Sequence, residues 1–141
     1  MKLRKVKWSV KPVQVVGLPE NRWYSETGFQ IYAATWLRKK HSLTGLEYYD
    51  WWHHSANERS NGREGFVAKM AGQSKGFPDF VHLRLRCAIE LKVPGGTCSP
   101  EQLRWIGYLQ SIGWIASVVY DFDSFVEVVE KAIARFKELS P

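Results

Sequence analysis

One apolar segment of the sequence carries two charges, and this feature constrains the fold more than any other. In the segment 88–92 (AIELK), a strand would alternate its side chains between two faces, so Glu90 and Lys92 share one face while Ile89 and Leu91 share the other. Burying a charge is costly unless it is paired or bound to a metal ion. The segment therefore predicts a core strand whose charged face belongs to a polar site.

Asp79 is the nearest candidate partner for these charges. It stands at the start of the preceding predicted strand, 80–83, and would come beside Glu90 if that strand pairs antiparallel with the strand 87–93. Two carboxylates on neighbouring strands form an oxygen-rich site that suits a hard cation such as Mg²⁺. Such a site fits phosphodiester chemistry, with the Lys92 ammonium stabilising charge or orienting water. The alternative is a structural salt bridge to Lys92 at a sheet edge.

Hydrophobic spacing predicts a mixed α/β fold in the order helix, three strands, helix, strand, helix. A capping box at Ser99-Pro100-Glu101-Gln102 marks the start of the second helix, which should end at Gly113. The last helix should be capped by Asp123 or Ser124. The predicted strands are 46–54, 80–83, 87–93 and 114–120, the first and second helices are 25–40 and 99–113, and a short extra helix is expected at 64–71.

The length of 141 residues and the 45% hydrophobic content predict one domain, at 25–141, preceded by a basic N-terminal arm at 1–24. The two cysteines, Cys87 and Cys98, are expected to be free thiols, with Cys87 in the core. No apolar run long enough for a membrane span or a signal peptide is present, which predicts a cytoplasmic protein. The sequence contains no Gly-rich phosphate loop, so no nucleotide cofactor is expected.

The formal net charge of +6 favours a polyanionic partner such as nucleic acid. Phosphate contacts of this kind carry little sequence information. Five basic residues are candidates for contacts to DNA: Arg59, Arg63, Lys75, Arg84 and Arg86.

Histidine and tryptophan residues offer weaker signals. His53 and His54 would point to opposite faces of a strand, which disfavours a zinc site. Trp36, Trp105 and Trp114 fall in periodic elements and are expected to pack in the core, whereas the roles of Trp8, Trp51 and Trp52 stay open.

Three motifs together resemble a known family. They are Gly76-Phe77-Pro78-Asp79, Glu90-Leu91-Lys92 and Ser99-Pro100-Glu101-Gln102. In their order and spacing they resemble the VRR-NUC domain of the PD-(D/E)XK nuclease superfamily, in its stand-alone phage or bacterial form. The resemblance covers roughly residues 25–133 and implies a restriction-endonuclease-like fold, with a mixed central sheet flanked by helices (α-β-β-β-α-β-α).

The resemblance also implies roles for individual residues. Asp79 and Glu90 would ligate Mg²⁺ or Mn²⁺ together with the Leu91 carbonyl, and Lys92 would serve the nucleophilic water. Gln102 would line the site, although its place in the capping box offers a purely structural role. Glu26 would sit near the metal, although the dipole of the first helix would equally favour a solvated acid there.

The function implied by the resemblance is a divalent-metal-dependent DNA endonuclease, selective for branched or Holliday-junction-like DNA and acting in replication, repair or recombination. A homodimer is implied as well. One alternative is a catalytically silent DNA- or junction-binding module on the same fold, which would have no physical need for the Asp79, Glu90 and Lys92 set. The other is an enzyme of different chemistry on a similar sheet.

Overall fold

The structure is a computed structural model that describes residues 25–55 and 75–140. The predicted arm at 1–24, the candidates Arg59 and Arg63 and the predicted helix 64–71 all lie outside the described residues. The division into an arm and one domain therefore stays a prediction.

The described elements follow the predicted order of helices and strands. They are α1 (Glu26–Thr44), a 3₁₀ turn (Glu47–Tyr49), β1 (His53–His54), β2 (Phe80–His82), β3 (Cys87–Leu91), α2 (Pro100–Ser111), β4 (Ile115–Val119) and α3 (Phe122–Leu139).

The four strands form one mixed sheet in the order β1-β2-β3-β4. The first three strands are antiparallel, with Phe80 opposite Ile89, and β4 runs parallel to β3, with Ile89 opposite Ser117. The predicted hairpin and the mixed α/β fold are thus confirmed. The parallel pairing follows from α2, which carries the chain back to the starting edge of the sheet before β4 begins.

The sheet separates two apolar clusters. On one face, α1 and α3 pack an aromatic core that includes Trp36, Phe122 and Phe125, with Phe122 edge-on to Trp36 at 5.8 Å between ring centroids. On the other face, α2 covers a smaller cluster that includes Val81 and Ala88. The predicted burial of Cys87 and Trp36 is confirmed, and Trp105 and Trp114 pack partly buried against the smaller cluster.

The segment 46–54 was expected to be a strand, and this prediction is wrong for most of its length. Only His53–His54 pairs with β2, whereas Glu47–Tyr49 forms a 3₁₀ turn. Trp51 has a φ of 65°, which interrupts any extended conformation. The aromatic residues here serve packing instead, since Tyr49 is buried edge-on to Trp36 at 5.7 Å.

Helix caps account for where the helices begin. Ser25 accepts a hydrogen bond from Gly28 N at 2.9 Å, and Ser99 forms the predicted capping box with Gln102. The predicted cap of the last helix is wrong by two or three residues, because Asp121 accepts from Ser124 N at 2.7 Å and α3 begins at Phe122. Burial of Phe122 in the aromatic core favours this earlier start.

His82 is a buried histidine whose protonation should oppose folding. Its side chain is 2% exposed, and Nδ1 accepts a hydrogen bond from Leu85 N at 3.1 Å. Burial lowers the pKa of His82 in the folded state. Because the unfolded chain takes up the proton first, stability should fall as pH drops below about 6.5 and level off below the folded pKa.

This expectation is measured by urea unfolding between pH 7.5 and 5. His82→Asn keeps an acceptor for Leu85 N and should remove part of the acid loss of stability. His53→Gln, at an exposed position, is the matched control and should leave the slope unchanged. An identical pH profile for wild type and His82→Asn would contradict the assignment.

Candidate metal centre

Asp79 is held rigidly at the mouth of the β2–β3 hairpin. It directly precedes β2, and the antiparallel register places it next to the end of β3. Its Oδ2 accepts a hydrogen bond from the backbone N–H of Leu91 at 2.8 Å, and its carbonyl accepts from Ser55 N at 2.8 Å. The carboxylate is 6% exposed, so its position is set by the sheet rather than by solvent.

Glu90 is the most deeply buried acid of the site. It is 1% exposed, and its Oε1 has no hydrogen-bond partner among the described residues. Burial, followed by the adjacent Asp79 carboxylate, raises the pKa of Glu90, while the Lys92 ammonium opposes that rise. A buried carboxylate oxygen without a donor is unusual and fits a position that a cation would fill.

Gln102 serves both of the roles that the sequence left open. Its Oε1 accepts from Ser99 N at 2.8 Å and completes the capping box, while its Nε2 donates to Glu90 Oε2 at 3.3 Å. The two ends of one amide therefore fix the start of α2 and one oxygen of Glu90.

Gly76 determines how closely the loop before Asp79 approaches α2. It has a φ of 83°, and a Cβ at this position would lie 2.7 Å from Gln102 N and from the Glu101 carbonyl carbon. Only glycine fits both the conformation and the space. The loop before Asp79 is thereby packed against the first turn of α2.

Glu26 and Lys92 close the site from the side of α1. Lys92 Nζ lies 3.5 Å from Glu26 Oε1 and 3.8 Å from Glu90 Oε2, and its side chain is 6% exposed. Glu26 is a first-turn acid of α1, as the helix-dipole interpretation expected, and it also reaches the site. Glu26 therefore lies both in the first turn of α1 and beside the other charged groups of the site.

The carboxylates are close enough to converge on one ion. One oxygen from each of Glu26, Asp79 and Glu90 lies within 4.8 Å of the other two. Hard cations bind such oxygens at about 2.0 to 2.6 Å, so a single ion can contact all three. The all-oxygen donor set fits Mg²⁺ or Mn²⁺, and the role of the Leu91 carbonyl as a further ligand stays a prediction.

Of the basic residues predicted to contact DNA, the three that the structure describes do not gather at one place. Lys75 is exposed and adjoins Gly76, on the side of the carboxylates. Arg84 and Arg86 lie in the turn at the opposite end of the hairpin, roughly 10 Å or more away along the strands. Arg84 binds Glu47 Oε1 at 2.9 Å, and the carbonyl of Arg86 accepts from Arg135.

The two adjacent histidines do not join the acidic cluster. His53 and His54 are exposed, and His54 Nε2 lies 3.1 Å from Gln30 Oε1. The sequence analysis did not connect Cys98 with the site. Burial raises the pKa of Cys98, and the negative charge of Glu90 adds to that rise.

Comparison with known proteins finds similarity at the level of the fold. Neither a family model nor a curated protein sequence matches the chain. Among solved structures, the fold is similar to that of a protein described as "VRR_NUC domain protein", with a TM-score of 0.63 and 26% sequence identity over 77% of this chain and 88% of that chain.

Across the described residues, no helix has the length and apolarity needed to cross a membrane.

Proposed function

This chain carries a VRR-NUC-like domain with a PD-(D/E)XK-like fold, as its motifs indicated, and on that premise we propose that it is a divalent-metal-dependent deoxyribonuclease. The observation that carries the proposal is the convergence of the Glu26, Asp79 and Glu90 oxygens within 4.8 Å, beside the Lys92 ammonium. An acidic cluster alone is common on proteins. A cluster this buried, with a lysine in contact, suits phosphoryl chemistry.

Each residue of the site has a distinct part in the proposed reaction. Asp79 and Glu90 hold the cation, with Glu26 and the Leu91 carbonyl as further ligands. A divalent cation, when bound, would polarise a phosphoryl oxygen and lower the pKa of a water molecule. Lys92 stabilises the negative charge that develops at the phosphate or orients the attacking water.

Gln102 is a positioning residue in this proposal. Its amide holds Glu90 Oε2 at 3.3 Å and is itself fixed by Ser99. Residues that orient a metal ligand in this way sharpen the geometry of the site without touching the reacting atoms.

The proposed substrate is DNA, bound mainly through its phosphates. The formal charge of +6 and the exposed Lys75 beside the site support this choice. Selectivity for branched DNA, a homodimeric state, a cytoplasmic location and a role in replication, repair or recombination belong to the same proposal. They rest on the resemblance to stand-alone VRR-NUC proteins.

The test is cleavage of labelled linear, flapped and four-way DNAs by the purified protein. We expect cleavage with Mg²⁺ or Mn²⁺, none in EDTA, and faster cleavage of a branched DNA than of linear duplex. Cleavage that persists in EDTA would contradict the metal dependence. Tight binding of junctions without cleavage in either metal would favour a silent binding module.

A further inference from the structure

A second concave site lies on α2, outside the carboxylate cluster. The cavity has a volume of about 490 Å³, within the range of about 300–1,000 Å³ that is typical of small-ligand pockets. Among the residues that the structure describes, it is lined by Lys75, Glu101, Arg104, Trp105 and Tyr108. None of the aromatic or acidic members has a part in the reaction proposed above.

The aromatic side of this pocket can accept a planar ring. Trp105 and Tyr108 meet edge to face, with 6.1 Å between centroids and an interplanar angle of 81°, so this contact covers a face of one ring only and leaves the faces of the other ring to further partners. Tyr108 is 56% exposed, whereas Trp105 is partly buried and supported by Phe77 at 4.9 Å. A rigid ring beside an accessible one is the kind of platform on which nucleobases stack.

The charges of the pocket match a nucleotide better than a bare anion. Lys75 and Arg104 provide two cations for phosphate oxygens, and Glu101 provides one carboxylate. A hydrogen bond to its own backbone and the charge of Lys75 lower the pKa of Glu101, so it is ionised at neutral pH. A carboxylate repels phosphate but accepts hydrogen bonds from the amino groups of bases.

The pocket is connected to the metal centre through the first turn of α2. Glu101, which lines the pocket, directly precedes Gln102, which contacts Glu90. Gly76 packs against Glu101 and Gln102. Tyr108 is six residues beyond Gln102, roughly 9 Å along the helix axis. In a strand stacked as in duplex DNA, two or three nucleotides at about 3.4 Å each cover that distance.

We propose that the Lys75–Tyr108 pocket binds one unpaired nucleotide of the DNA strand that enters the metal centre, with its base against Trp105 and Tyr108 and its phosphate on Lys75 and Arg104. This inference rests on the proposed nuclease function. A base that is paired and stacked within a duplex cannot enter the pocket. The pocket therefore selects DNA that has unpaired nucleotides within two or three positions of the cleaved bond.

The experiment measures binding in Ca²⁺, so that it does not depend on cleavage. The probes are DNAs with a short single-stranded arm that carries 2-aminopurine at successive positions from the branch, each paired with an abasic analogue. The variants are Tyr108→Ala and Arg104→Ala. Tyr108→Phe keeps the ring, and Leu103→Ala is the matched control, since Leu103 is 55% exposed on the same helix and does not line the pocket.

We expect wild type to quench 2-aminopurine at one or two positions and to bind the abasic analogue about five- to one-hundredfold more weakly. Tyr108→Ala should lose both effects, Tyr108→Phe should retain them, and Arg104→Ala should weaken binding and flatten its salt dependence. Leu103→Ala should behave as wild type, and all variants should bind a fully paired duplex with similar affinity.

Three results would overturn the inference. If DNA is bound and cleaved but abasic and intact arms bind equally, the pocket is not a nucleotide site and the nuclease proposal stands. If Tyr108→Ala alters the sedimentation of the protein but not the quenching, the pocket is a protein contact. If no DNA is bound under any condition, both proposals fail together.

Discussion

Asp79→Asn and Glu90→Gln are each expected to abolish metal-dependent DNA cleavage, with a loss of more than about a hundredfold. Removing a group that merely supports a metal ligand typically costs 10–100-fold, so the loss of a ligand should exceed that range. Both side chains are buried beside each other and aim oxygens at the same point. Neither variant should unfold the protein, because Asn at position 79 still accepts from Leu91 N and a neutral Gln relieves the burial of charge at position 90.

Rates of cleavage with Mg²⁺, calorimetry with Mn²⁺ and urea unfolding together measure this prediction. DNA affinity in Ca²⁺ should fall little, since phosphate contacts to Lys and Arg dominate binding. Glu127→Gln, an exposed carboxylate on α3, is the matched control and should cleave as wild type. Near-normal cleavage by either site variant would show that the assignment of these carboxylates to the active site is wrong.

Local patterns in the sequence predicted the elements that position the site. The alternation of charged and apolar residues in β3 predicted that Glu90 lies on the face of the sheet away from the aromatic core. The capping box predicted where α2 begins. Both patterns act over two to four residues, so they are legible without knowledge of the tertiary fold. The pairing of Asp79 with β3 followed from the antiparallel hairpin alone.

Other features depended on contacts that local patterns do not encode. The aromatic segment before β1 has strong strand propensity, but the packing of Tyr49 on Trp36 and the positive φ of Trp51 override it. The pocket on α2 requires the loop at Lys75 to pack against a helix 25 residues later, which only the folded chain reveals.

Substitution of Lys92 is expected to slow cleavage without weakening metal binding. Lys92→Ala should lower the cleavage rate by about 10²–10³-fold, the usual cost of removing one group that stabilises transition-state charge. The same variant should bind Mn²⁺ at least as tightly as wild type. The reason is that Nζ lies 3.5 Å from Glu26 and 3.8 Å from Glu90, so its removal takes a competing positive charge away from the carboxylates.

Calorimetry with Mn²⁺ and single-turnover cleavage of the same preparation decide between this role and a structural one. Lys131→Ala, an exposed lysine of α3, controls for the loss of one positive charge and should change neither measurement. If Lys92→Ala loses Mn²⁺ binding together with cleavage, Lys92 is a counter-ion that keeps the carboxylates in place. If Mn²⁺ binding is retained but cleavage is slow, the Lys92 ammonium acts on the phosphate or on the attacking water. The carboxylates would then keep their arrangement without Lys92.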